Sequence, residues 1–369
     1  MRVRALGDRP AATAWLDRYG ASAGPLMLVL GFTDTGLQEG ISAAGATPAD
    51  RRRTALADAE FLSLGPQEQP TFALPPLTAG ASPVFLTRAV LEGLPLPLEI
   101  VNAGLRERPS VPCRDLGGEA ARCLGSGEAL TRSGVEALYQ RGWELGTALR
   151  GQTTVTVGEC VVGGTTTALA LLLALGVEAD GRVNSSFPVC NHDRKRQLVH
   201  QGLARARVRN ATDPLDWVAA IGDPMQPVVA GLALAASRHG VGVLLGGGTQ
   251  MLAVQALMQA IARHRQLDWD PTAIAVGTTG WVADDPSGDT LGLTRAIGAA
   301  LGQVPPLLVA DIDFAPSRYT VLRAYEQGFV KEGVAAGAAA IRAAARGWSA
   351  QDFRERVEAL LDRQQEKQT

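Results

Sequence analysis

The sequence has no excess of positive charge: 35 Lys and Arg stand against 37 Asp and Glu, a formal net charge of -2. A chain without that excess has no electrostatic grip on nucleic acid or on an anionic membrane surface, and neither partner is expected. Long apolar runs are also missing. The longest, around Ala168 to Val177, is far short of a bilayer span. Met1 to Asp17 mixes both charge signs without the apolar core of a signal peptide. Cysteine is scarce, at 4 residues. Cys113, Cys123, Cys160 and Cys190 lie too far apart for zinc pairing and are too few for a disulfide scaffold, so they read as reduced thiols of a cytoplasmic protein. The 4 histidines (His192, His200, His239, His264) show no metalloprotease spacing, and no dinucleotide fingerprint is present.

Glycine is what the chain has in surplus, at 42 residues, where average usage would give about 26. With 46% hydrophobic and 20% charged residues over a length of 369, the chain can bury a large core and is not disordered. Short apolar runs end in Gly, Thr or Asp: Pro25–Gly31, Leu98–Gly104, Thr153–Gly158, Val241–Gly246, Ala273–Gly277 and Pro306–Asp311. Such runs suit strands covered on both faces. Ala/Leu-rich segments of crossover length lie between them: Thr165–Gly176, Pro227–His239, Gln250–His264 and Thr290–Leu301. Strand, Gly-rich turn and helix in repeated order predict an α/β fold, three layers around a mostly parallel, Rossmann-like sheet. That domain is expected over residues 25–317. Residues 1–24 and 318–369 are read as a small helical subdomain packed on it, with helix expected at Pro10–Tyr19, from Asp313 to Arg346, and again from Ala350. The Pro-rich stretch Phe61–Pro97 is read as a long, ordered excursion.

The most informative stretch runs from Thr153 to Leu175. A strand-like run leads into Gly158-Glu159-Cys160-Val161-Val162-Gly163-Gly164-Thr165-Thr166-Thr167 and then an apolar helix. The spacing is that of a P-loop, but Gly164 stands where the lysine belongs. Free N–H groups and the helix dipole at such a turn attract phosphate. Without the lysine a triphosphate loses its clamp, so a monophosphate ester is the better ligand. The same residues also read as a plain glycine-rich turn with Thr165 or Thr166 as N-cap. The loops Gly246-Gly247-Gly248-Thr249-Gln250 and Gly277-Thr278-Thr279-Gly280-Trp281 admit ligand approach, with close packing at least as good a reading. All of these loops fall at strand C-terminal ends, where open α/β sheets bind ligands.

Other signals are weaker. Gly20–Gly24 has the residues of a nucleophile elbow but the wrong strand and helix order. Asp311 and Asp313 end a strand, and two carboxylates alone are poor evidence for a metal. Lys195, taken alone, is a solvated basic turn. Glu332, in Gly328-Phe-Val-Lys-Glu-Gly-Val-Ala-Ala-Gly337, is by composition alone a helix-surface glutamate set among unusually small residues.

Four segments, in order, resemble the nicotinate-nucleotide–dimethylbenzimidazole phosphoribosyltransferase family, in a divergent branch. The family's Gly-Glu-Met-Gly-Ile-Gly-Asn-Thr-Thr is similar to Gly158–Thr166. Its Arg-Lys-x-x-Val-Val-x-x-Ala-Leu resembles Arg194–Leu203, and its Leu-Gly-Glu-Gly-Thr-Gly-Ala resembles Val330–Ala336. Its Gly-Asp-His-Gly-Val followed by Gly-Val-Ser is echoed by Thr33–Leu37 and Gly40-Ile41-Ser42. The resemblance implies a cobalamin-pathway homodimer that needs neither metal nor redox cofactor. Such an enzyme moves a 5-phosphoribosyl group from nicotinate mononucleotide to a benzimidazole nitrogen, giving an α-ribotide. Glu332 would be the general base and Glu159 would lie beside the ribose. Gly163, Gly164, Thr165, Thr166 and Lys195 would hold phosphate, Gly247 and Gly248 would line the substrate site, and Ser42 would face the acceptor base.

Three departures bear on that reading. Lys331 replaces a glycine beside the base, where it would clash with a ligand or pair with the base carboxylate. Gly164 replaces an asparagine of the phosphate loop. Asp34-Thr35 replaces Asp-His near the acceptor pocket, which opens the acceptor to another azole or a purine such as adenine. A nucleotide-phosphate-binding protein without catalysis, or a mononucleotide hydrolase, is the alternative.

Overall fold

The computed structural model describes residues 1–77, 79–208 and 213–368. Eight strands form one sheet: β1 (Arg2–Gly7), β2 (Leu26–Gly31), β3 (Leu98–Gly104), β4 (Arg114–Asp115), β5 (Thr154–Cys160), β6 (Gly242–Gly246), β7 (Ile274–Thr279) and β8 (Pro306–Asp311). Their order is β1-β8-β7-β6-β5-β2-β3-β4. Every pairing is parallel except β1 against β8. The apolar runs of the sequence thus become strands, and β2, β5, β6 and β7 are buried along their whole length. Helices cover both faces, as a parallel sheet requires. One core lies under the helices Gly164–Ala174, Met225–Arg238 and Thr249–Arg265. The other lies under Pro48–Leu64, Val84–Gly93 and Ala336–Ala345.

Two features depart from the sequence expectation. The chain opens with a strand: half-exposed β1 closes the sheet edge, and its Arg4 pairs with Asp311 at 2.8 Å. Asp311 is therefore an ion-pair partner. The stretch from Asp313 to Arg346 is not one helix. A short turn at Thr320–Arg323 and a 3₁₀ turn at Ala324–Gln327 precede a loop, and only Ala336–Ala345 is a regular helix. The Met1 amino group donates to the Trp348 carbonyl at 2.9 Å, and Arg342 Nη1 to the Tyr19 carbonyl at 2.7 Å.

Strand order reverses between β2 and β5, since the chain proceeds from β2 to β3 on one side and from β5 through β8 on the other. In open α/β sheets the crevice beyond the strand C-termini at such a reversal is where ligands sit. Glu159 and Cys160 end β5 at that point.

Candidate active site

A cavity opens there, and its wall draws on the turn after β5, the loop after β6 and the segment around Glu332. The turn after β5 begins it. Gly163 adopts φ +89°, a left-handed conformation that a side chain disfavours, and a Cβ there would lie 2.6 Å from the Gly36 nitrogen. The helix Gly164–Ala174 starts directly afterwards, and Gly163, not a threonine, is its N-cap. The threonines expected as caps are left for other partners. Thr166 Oγ1 is buried without a hydrogen bond.

Thr165 Oγ1 accepts from Lys195 Nζ at 2.5 Å, and the same ammonium donates to the Asn184 carbonyl at 2.8 Å. Lys195 is fully buried, not solvated as its basic sequence context suggests. On the helix His192–Arg205 it shares an inward face with Val199 and Gly202, at helical spacing. Burial pulls its pKa down to about 8. Among the described residues no carboxylate pairs with it. A buried cation against neutral acceptors, behind a helix N-terminus, is chemically suited to an anion.

Glu159 and Glu332, the two carboxyl groups singled out in the sequence, both line the cavity, and Asp58 is a third. Glu332 belongs to a loop, not a helix surface. That loop holds Val330, Val334 and Ala335 at φ 48°, 53° and 61°, a conformation strongly disfavoured for β-branched residues and often found at functional sites. Glu332 Oε1 accepts from the Gly333 and Gly337 nitrogens, and Oε2 from Thr278 Oγ1 and the Thr279 nitrogen. These bonds lower its pKa, but burial outweighs them and sets it at about 7. Small residues permit this placement. A Cβ on Gly158 or Gly246 would come within 2.6 or 2.7 Å of the Ala335 Cβ, and one on Gly337 within 2.2 Å of Thr278.

Glu159 is buried and accepts from the Val161 nitrogen at 3.0 Å. Burial first, then repulsion from Asp223 and Glu332, pushes its pKa up to about 8. Asp223, buried and bonded to Thr167 Oγ1, had no signal in the sequence.

The remaining expected residues divide. Ser42 and Gly248 line the cavity beside Gly163, Gly164 and Thr165. Gly247 does not reach the wall, and its φ of +156° serves the turn behind Glu159. Asp34 and Thr35 also miss it: Asp34 takes Arg106 at 2.8 Å, and Thr35 Oγ1 accepts from the Leu124 nitrogen. Lys331 lines the cavity wall but is no free charge there, and it does not pair with Glu332. It makes a buried ion pair with Asp285 at 2.5 Å. Asp58, Ser82, Asn184 and Gln250 also line the cavity. Gln250 ends the glycine loop after β6, whose signal lies in its glycines, and Asp58 and Ser82 lie in stretches of the sequence without a recognisable motif.

Residues 92–269 match the family described as Phosphoribosyltransferase. The UPF0284 protein of Cyanothece sp. (strain PCC 7425 / ATCC 29141) is 54% identical over 364 residues, 98% of this chain and 97% of that one. The UPF0284 protein of Nostoc sp. (strain PCC 7120 / SAG 25.82 / UTEX 2576) is 51% identical over 95% of this chain and 97% of its own. Among solved structures, CobT from Thermus thermophilus superposes with a TM-score of 0.58 at 20% identity, covering 95% of this chain and 88% of that chain. A nicotinate-nucleotide–dimethylbenzimidazole phosphoribosyltransferase structure from the same organism gives 0.57 at 22% identity, over 91% and 86%. Both likenesses are likenesses of fold. The chain belongs to the UPF0284 family, and its middle section matches the phosphoribosyltransferase family model.

Proposed function

We propose that this protein transfers the 5-phosphoribosyl group of nicotinate mononucleotide to a nitrogen of an azole or purine base, giving an α-ribotide for cobalamin biosynthesis. One observation carries the reading. A single cavity holds a helix N-terminus backed by an uncompensated buried lysine, Lys195, together with two carboxyl groups, Glu159 and Glu332. The first suits a phosphate monoester. The second suits chemistry at an anomeric carbon that gains positive charge as its bond to the leaving group breaks.

In the reaction the acceptor nitrogen forms a bond to C1′. The C1′–N bond to the pyridine ring breaks with its electron pair, and neutral-ring nicotinate leaves. The acceptor's other ring nitrogen gives its proton to the Glu332 carboxylate. Thr278 can make room for that proton, because its hydroxyl can turn from donor to acceptor, whereas the backbone N–H groups on Glu332 cannot. General-base assistance is worth about 10²–10⁴-fold. Assembly as a cytoplasmic homodimer goes with the reading, and light scattering measures the dimer.

The test is incubation with nicotinate mononucleotide and either dimethylbenzimidazole or adenine, following nicotinate release and α-ribotide formation. Release that requires a base supports transfer. Release without a base would make the protein a hydrolase, and no release with any base overturns the catalytic reading.

A further inference from the structure

The cavity differs in chemistry from one end to the other. Its phosphate-like end belongs to the helix Gly164–Ala174, which packs on one face of the sheet. Its other end is built by the helices Pro48–Leu64 and Val84–Gly93 and the Glu332 loop, which pack on the opposite face. There Leu77, Pro83 and Val334 offer apolar surface suited to a flat ring. Among them sits Asp58, 3% exposed. Its carboxyl accepts from Ser82 Oγ at 2.8 Å and from Cys160 Sγ at 3.3 Å.

Both donors are neutral, and among the described residues no cation pairs with Asp58. A carboxylate has about four acceptor positions, so about two remain open beside the cavity. Burial lifts its pKa to about 6, which leaves it ionised at neutral pH. A methyl group pressed against it would strip its water and return no hydrogen bond. An N–H group in that place supplies the missing donor. A buried acceptor of this kind also discriminates strongly against the analogue that lacks the donor.

We propose that Asp58 selects an acceptor base bearing an N–H donor on the ring fused to its azole, an aminopurine-type base, over a base bearing methyl groups there. The proposal rests on the transfer reading of the cavity. A purely structural Asp58, tying its helix to Ser82 and Cys160, would show no dependence on which base is offered.

The test compares purine with 6-aminopurine, which differ only in the amino group, alongside 5,6-dimethylbenzimidazole. Turnover and calorimetric base binding are both measured for the wild type, Asp58→Leu and the shape-conserving Asp58→Asn. Expected is at least about a tenfold preference for 6-aminopurine over purine in the wild type. That preference should fall several-fold in Asp58→Asn, and Asp58→Leu should come to favour dimethylbenzimidazole. If Asp58→Leu fails to fold, Asp58→Asn decides. Equal use of purine and 6-aminopurine, or a ratio unchanged by both variants, overturns the proposal while leaving transfer intact. A binding preference without turnover sustains the base assignment and overturns transfer. Neither base binding nor turnover overturns both.

Discussion

Lys195 Nζ lies 2.5 Å from Thr165 Oγ1 and 2.8 Å from the Asn184 carbonyl oxygen, in a fully buried position. An ammonium held only by neutral acceptors destabilises the empty protein, and an anion at the adjoining turn would reverse that. Lys195→Met is therefore expected to raise the Tm of the ligand-free protein. It should also abolish stabilisation by phosphate or nicotinate mononucleotide. A wild-type protein at about 100 times Kd should gain about 2.7 kcal/mol from its ligand. Differential scanning fluorimetry with and without phosphate reads both effects. A variant with lower Tm and undiminished ligand response would show that Lys195 serves the fold instead.

Glu159 and Glu332 predict a pH signature. Burial, joined at Glu159 by neighbouring carboxyl groups, raises them from 4.5 to about 8 and about 7. The folded state then binds protons that the unfolded state has released, so their contribution to stability is full below about 4.5 and is lost as pH rises through about 7 to 8. Expected is a fall in Tm between about pH 5 and 7.5 that is shallower in Glu159→Gln than in the wild type. Lys195, with its pKa lowered to about 8, works with the opposite sign, but only above that window. In turnover assays, Glu332→Gln should remove the rise in kcat/KM through about pH 7 and lower it about 10²–10⁴-fold, with mononucleotide binding retained.

The sheet was legible because its strands are continuous apolar runs closed by glycine, a pattern that parallel packing imposes. The half-polar β1 was not, since Arg4 is explained only by distant partners, Asp284 and Asp311. Of the site, the turn at Gly163 carries its own spacing in the sequence. Lys195 and Glu332 do not: composition makes one a solvated turn and the other a helix face. Only the inward register of one helix puts Lys195 behind the phosphate turn, and only the left-handed residues around Glu332 bring that carboxyl to the cavity wall. Resemblance could point to them because it compares positions, whereas local pattern reports only local preference. Asp58 and Asp223 lie outside both kinds of signal.

Gly164 and Gln250 compete for one space. A Cβ on Gly164 would lie 1.8 Å from Gln250 Oε1, an atom that is buried without a hydrogen-bond partner. Gln250 can be displaced at its flexible end, so Gly164→Ala is expected to fold with a Tm near that of the wild type. The cost falls on the cavity, where the shifted amide intrudes beside the phosphate turn. Mononucleotide affinity should drop at least about tenfold, which corresponds to about 1.4 kcal/mol. Gly164→Ala combined with Gln250→Ala should recover most of that loss. Calorimetry on the two single variants and the pair checks the coupling, and additive losses would refute it.

Lys331 and Asp285 form an ion pair with side chains 2% and 1% exposed. Burial pushes the Asp285 pKa up, but hydrogen bonds from Lys331, Ser287 and Asn184 outweigh it and hold the group below the ordinary carboxyl range. Removing one partner leaves the other charge buried and alone, a loss of about 3–5 kcal/mol. Lys331→Met should therefore lower the urea midpoint sharply. Lys331→Met with Asp285→Asn should recover most of it, because no uncompensated charge remains. The pair also anchors the loop whose next residue is Glu332, and Thr279 Oγ1 donates to the Lys331 carbonyl at 2.7 Å in support. If the anchor positions Glu332, the double variant regains stability without regaining kcat, and its KM for the mononucleotide stays near the wild-type value. A double variant restored in both stability and kcat would confine the pair to holding the fold.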